Sequence, residues 1–115
     1  MTTAINVTTG IEVTITRFVD AEFPGFVECR LVDAAGMEHL FVEKLPVVAS
    51  EGVSADGPYP QPGVIACTIV AERTDGERAL VIVDTDEPWG IVSTAGRSRF
   101  EVLRTSLVEL EHPPR

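Results

Sequence analysis

A thiolate–imidazole couple needs a cysteine and a histidine on one face of a common scaffold. The chain has two of each residue, and Cys29 and His39 lie nearest in sequence. They fall in two strand-like runs, Phe26 to Val32 and Met37 to Lys44, joined by Asp33-Ala34-Ala35-Gly36. Two registers are open to that hairpin. A two-residue loop at Ala34-Ala35 pairs Cys29 with Leu40 and sets His39 opposite Arg30 on the other side. A bulge at Gly36 pairs Cys29 with Phe41 and puts His39 on the cysteine's face. The second register buries His39 and turns Leu40 and Val42 outward, so the apolar alternation favours the first. No Cys–His catalysis is expected.

Divalent cations need converging hard oxygen ligands. The best candidate is Asp84-Thr85-Asp86-Glu87, where strand alternation would place Asp84 and Asp86 on one face at a strand end. The competing and favoured reading is a solvated turn before Pro88. The sequence has no Cys-x-x-Cys, His-x-His or His-Glu-x-x-His, so no zinc site is read. Arg97 and Arg99, two apart, are expected on one face, either binding a small anion or pairing with the acids of the 84–87 run. Neither a glycine-rich phosphate cradle nor a serine elbow is present, and no cofactor is expected.

Three aromatics stand beside Pro or Gly: Phe23-Pro24-Gly25, Pro58-Tyr59-Pro60 and Pro88-Trp89-Gly90. Rigid aromatics at loop edges serve interaction surfaces at little entropic cost, and they also plug the ends of small barrels. Phe23, Tyr59 and Trp89 are therefore candidate partner-binding residues together with Arg97 and Arg99. For Trp89 the plug is slightly favoured.

These residues need strands to hold them. Ile11, Val13 and Ile15 alternate with Glu12, Thr14 and Thr16, the period of a strand with one buried face. The hairpin around residues 33–36 follows. Pro46 ends its pairing or marks an edge. Residues 50–63 read as one long proline-rich loop. Val64 to Arg73 and Arg78 to Thr85 flank Thr74-Asp75-Gly76-Glu77, which predicts a hairpin with a type I′ Asp-Gly turn. Both runs are apolar on both faces near their middles, which predicts central strands covered on two sides. A third hairpin is expected from Trp89 to Thr94 and Ser98 to Leu103 around Ala95-Gly96. Ser106 then opens a capping-box pattern, so a short helical turn near the C-terminus and a closing strand at Val108–Leu110 complete the expectation. No internal repeat is read.

Consecutive hairpins without an amphipathic helix predict an all-β fold. Its form should be a small antiparallel barrel, SH3-like or OB-like, of six to eight strands. One domain over residues 1–111 and a disordered tail at 112–115 are expected.

Composition sets the outer bounds. Eighteen acids against nine bases give a net charge of −9. Residues 1–57 hold nine of the acids but only Arg17, Arg30 and Lys44, hence −6. Such a field repels nucleic acid and anionic membranes and suits a basic protein partner. No membrane span and no signal peptide are read, so a cytoplasmic location is expected, with Cys29 and Cys67 as buried thiols. The function predicted is a non-enzymatic binding module for a basic protein surface, of an immunity or inhibitor type. A ligand- or metal-dependent protein centred on Asp84, Asp86 and Glu87 is the alternative. Self-association through an edge strand near Pro46 is the third.

Overall fold

The computed structural model describes residues 6–20, 25–48 and 58–112. Seven strands form in chain order: β1 (Asn6–Asp20), β2 (Phe26–Val32), β3 (Glu38–Lys44), β4 (Gln61–Asp75), β5 (Arg78–Asp84), β6 (Arg99–Leu103) and β7 (Leu107–His112). A four-residue helix, α1 (Leu45–Val48), follows β3, and a 3₁₀ turn at Arg104–Ser106 precedes β7. All pairings are antiparallel, in the order β3-β2-β1-β4-β5-β6, with β7 added to β1. The expected all-β class is borne out, as a sheet curled into a half-barrel.

β1 organises the sheet because it is long and bent. Its residues 9–15 pair with β4, while its first half also pairs with β7 and its second half with β2. Register shifts after Ile15 and Phe18 bend its far end. Ile11, Val13 and Ile15 point inward and are buried, as their alternation predicts. β4 is also shared, pairing with β1 up to Cys67 and with β5 from Thr68 onward, with a bulge between Ile69 and Ala71. The core that results joins Ile11, Ile15, Val27, Phe41, Ile65, Val81, Val83 and Phe100.

Several expectations change here. Gln61, Pro62 and Gly63 belong to β4, paired with Ile15, Thr14 and Val13, so the loop is shorter than 50–63. Residues 50–57 of it lie outside the described residues. α1 was not foreseen: Pro46 sits inside it, where the fixed φ suits a first turn. Gly63 explains how α1 docks, because a Cβ there would stand 2.9 Å from the Val48 carbonyl oxygen and from Ile15 Cγ1. Val48 is fully buried, and Leu45, Val47 and Tyr59 pack against the same core.

Asp75 pairs with Arg78, so the β4–β5 loop is Gly76-Glu77. Gly76 has φ +62 and Glu77 does not have a positive φ, which is the pattern of a type II′ turn rather than I′. The double coverage expected of this hairpin holds for Ala66 and Cys67 and for Leu80 and Val81. It fails at Ile69 and Val70, which are 41% and 43% exposed. There β4 has passed the end of its pairing with β1.

The third hairpin is not a strand pair. Residues 85–98 form turns and irregular chain, in which the buried Thr85 hydroxyl donates to the Ile91 carbonyl at 2.6 Å. The helical turn before β7 forms as expected, but Ser106 ends it rather than capping its start. β7 extends beyond Val108–Leu110 to His112, past the 1–111 boundary, and residues 113–115 lie outside the described residues.

Two turns of one design close the curl. In Asp33-Ala34-Ala35-Gly36-Met37, Gly36 N donates to Asp33 O and Asp33 N to Met37 O, while Met37 N also donates to Asp33 Oδ1. In Ser93-Thr94-Ala95-Gly96-Arg97, Gly96 N donates to Ser93 O, Ser93 N to Arg97 O, and Arg97 N to Ser93 Oγ. Both glycines have positive φ, +85 and +80, the left-handed bulge position that glycine alone fills without strain. Each turn docks on the strand that follows the other. Ala34 N donates to Glu101 O and Thr94 N to Leu40 O, both at 2.8 Å.

Candidate binding site

The β2–β3 register is the bulged one, with Cys29 opposite Phe41 and Leu31 opposite His39. This corrects the sequence expectation: His39 is buried, and Leu40 and Val42 are 38% and 41% exposed. Alternation failed as a guide because it took His39 for an outward polar residue. Its Nε2 lies 2.8 Å from Asp33 Oδ2, and its ring rests 4.7 Å from that of Phe100. A histidine with a partner and an aromatic wall is at home inside.

Sharing a face does not make Cys29 and His39 a catalytic couple. The His39 ring is hydrogen-bonded to Asp33, and burial pushes the Cys29 thiol up to about 12. Burial raises Cys67 to about 11. Both thiols are therefore protonated and inert at neutral pH. They are free cysteines, and their β1 partners, Ile15 and Thr9, are six residues apart. That is about 20 Å along a strand, against the roughly 7 Å limit for a disulfide.

The acidic run does not gather. β5 ends at Asp84, whose Oδ1 accepts from Asp86 N at 2.9 Å, so the chain turns and alternation stops. Asp84 Oδ2 faces Arg99 Nε at 3.3 Å. The Asp86 amide first, against some desolvation, and then Ser98 and Arg99 hold the Asp84 carboxyl below its ordinary range. Asp86 and Glu87 are exposed on the turn. Among the described residues no three His, Cys, Asp or Glu side chains group as metal ligands.

Arg99 thus takes the acidic partner foreseen for it, and Arg97 instead stands over the Phe100 ring at 5.7 Å. Tyr59 is half-buried against the core. Trp89 is 48% exposed and so does not plug the barrel. Phe23 lies outside the described residues. Glu43 sits opposite the buried Val27, and burial raises its carboxyl pKa.

A concave surface appears where sequence reasoning placed none. β1 and β4 pair no further than Thr9 with Cys67, and beyond that point the strands part. The resulting cleft holds two adjoining cavities that share Thr9 and Ile69. One, about 340 Å³, lies between Ile69, Arg104, Leu107 and Glu109. The other, about 330 Å³, is lined by Thr8, Cys67, Thr68 and Pro88, the residue before Trp89. Arg104 forms an ion pair with Glu72. The signal that could have located the cleft is the run Thr68-Ile69-Val70-Ala71, apolar and β-branched on both faces yet leading into the charged Glu72-Arg73-Thr74-Asp75. Among the described residues no helix is long and apolar enough to cross a membrane. Comparison with known proteins gives no match to a family model, to a curated protein or to a solved structure.

Proposed function

We propose that this chain is a non-enzymatic binding module of the cytoplasm, and that its partner is a protein with a basic surface. The observation that carries this reading is the cleft between β1 and β4, with Ile69 and Val70 bare at its side and the half-exposed Trp89 next to Pro88. Exposed apolar side chains around concave ground are what a partner surface uses. The net charge of −9 selects for basic partners and would steer their approach. Among the described residues both cysteine thiols are held protonated and the His39 ring is tied to Asp33.

The test has two stages. Proteins retained from the source lysate on immobilised chain are identified, and the retained partner is then purified and titrated into the chain by calorimetry. A basic partner is expected, with affinity falling roughly tenfold or more between about 0.1 and 1 M salt, as the Debye length shrinks from ~10 to ~3 Å. An acidic partner, or affinity indifferent to salt, would overturn the reading.

A further inference from the structure

Where the two strands part at the cleft, β4 runs on alone: from Thr68 to Asp75 it pairs, among the described residues, with β5 and with no other strand. Unpaired strand edges invite another strand, and proteins blunt them with charges and bulges. β4 does this late: the bulge falls between Ile69 and Ala71, and Glu72, Arg73 and Asp75 follow. The stretch before those charges, Thr68 to Ala71, carries the bulge but no charge, and its two large apolar residues are the exposed Ile69 and Val70.

The geometry points to the Thr68–Ala71 edge of β4 as a strand-addition site for an extended, basic segment of a partner protein. The partner's backbone extends the β4–β5 pair by one strand. A small apolar side chain enters the cavity between Ile69 and Leu107, and a lysine or arginine meets Glu109. This rests on the proposed basic protein partner and locates where that partner binds. Charge selects the occupant. Two ionic side chains line the larger cavity, and Arg104 is already taken by Glu72, while Glu109 has no ion partner among the described residues. A cation therefore completes the site and an anion does not. Main-chain hydrogen bonds supply the affinity in such additions, and alternate side chains the specificity.

The experiment uses two sets of capped nonapeptides, one alternating Lys or Arg with Val, Ile or Thr, the other with Glu in place of the basic residues. Binding is followed by fluorescence anisotropy, and amide hydrogen exchange of the protein is read with and without the best binder. The basic set is expected to bind and to slow exchange at amides within 68–71. Glu109→Gln should weaken it several-fold, and Ile69→Lys should abolish it while circular dichroism and melting show both variants folded. Basic peptides that bind without slowing those amides, or bind Ile69→Lys unchanged, would overturn the site and leave the basic-partner reading standing. Failure of the basic set to bind overturns the site as well, with the salt titration of the captured partner still deciding the broader reading. Preference for the acidic set would remove both.

Discussion

Asp33→Ala is expected to destabilise the fold by about 3 kcal/mol. One carboxylate serves three donors. Oδ1 accepts from Ala35 N and Met37 N, both at 2.9 Å, and Oδ2 meets His39 Nε2 at 2.8 Å. The two amides lie at an exposed turn and regain water when the carboxylate is lost, so they account for about 0.5–1 kcal/mol each. His39 is different, with a side chain only 7% exposed. Left without an acceptor, its ring nitrogen bears a desolvation cost of about 1–3 kcal/mol. At roughly 4 °C per kcal/mol for a domain of this size, the melting temperature should fall by about 12 °C. Asp33→Asn keeps an oxygen for the turn and should cost about 1 kcal/mol. Urea unfolding of Asp33→Ala, His39→Ala and the double variant closes the cycle, with an expected coupling above ~1 kcal/mol. pH adds a signed check. Burial works against ionisation of Asp33, but the hydrogen bonds from His39, Met37 and Ala35 outweigh it and hold its pKa below the ordinary 3.8. A depressed folded pKa gives stability that is full above the unfolded pKa and lost as pH falls through the folded one. The gap between wild type and Asp33→Ala should therefore narrow below about pH 4. A cost under ~1 kcal/mol, or a gap that widens in acid, refutes the reasoning.

Gly63→Ala should cost about 1–3 kcal/mol in urea unfolding, because the added methyl meets the rigid Val48 carbonyl at 2.9 Å and would lift α1 from the core. Thr85→Val should cost about 1–3 kcal/mol by thermal melting, since it strips the Ile91 carbonyl of its 2.6 Å donor at a fully buried site. Cys29 and Cys67 should resist iodoacetamide in the folded protein at neutral pH and react in urea. Mass spectrometry showing native labelling of either would contradict their burial and raised thiol pKa values.

What the sequence showed depended on which signal governed each segment. Ile11, Val13 and Ile15 were legible because one buried face and one solvated face write themselves as a period of two. The β4–β5 hairpin was legible from its glycine, though not its turn type, since only the backbone decides whether Asp75 or Glu77 joins Gly76 in the loop. The β2–β3 register was not legible from alternation, since Leu40 and Val42 look like core and His39 like surface. Asp33, six residues before His39, was the missing information: a carboxylate that can satisfy an imidazole makes a buried histidine affordable. The cleft was missed for a related reason. Thr68 to Ala71 has the composition of a covered strand, and only the parting of β1 from β4 leaves it bare.

The two closing turns show why the curl shuts at β3 and β6 without a strand ladder between them. The sequences Val32-Asp33-Ala34-Ala35-Gly36 and Val92-Ser93-Thr94-Ala95-Gly96 follow one pattern, in which an oxygen-bearing first residue caps the turn and glycine takes its bulge. In both, the second residue's amide points out of the turn and is free to dock. A ladder would need β3 and β6 to run side by side over several residues, whereas two outward amides need only one carbonyl each, Glu101 and Leu40. Arg78 strengthens one side by donating to the Ala34 carbonyl at 2.6 Å. The backbone part of the seam therefore rests on a few bonds made by two turns, with His39 and Phe41 packed on Phe100 beneath it, and the Leu40 carbonyl on the outer edge of β3 is already taken. Strand addition at that edge would first have to displace Thr94, whereas the Thr68–Ala71 edge of β4 has no strand to displace among the described residues. That difference in cost favours the proposed site on β4 over the edge beside Pro46.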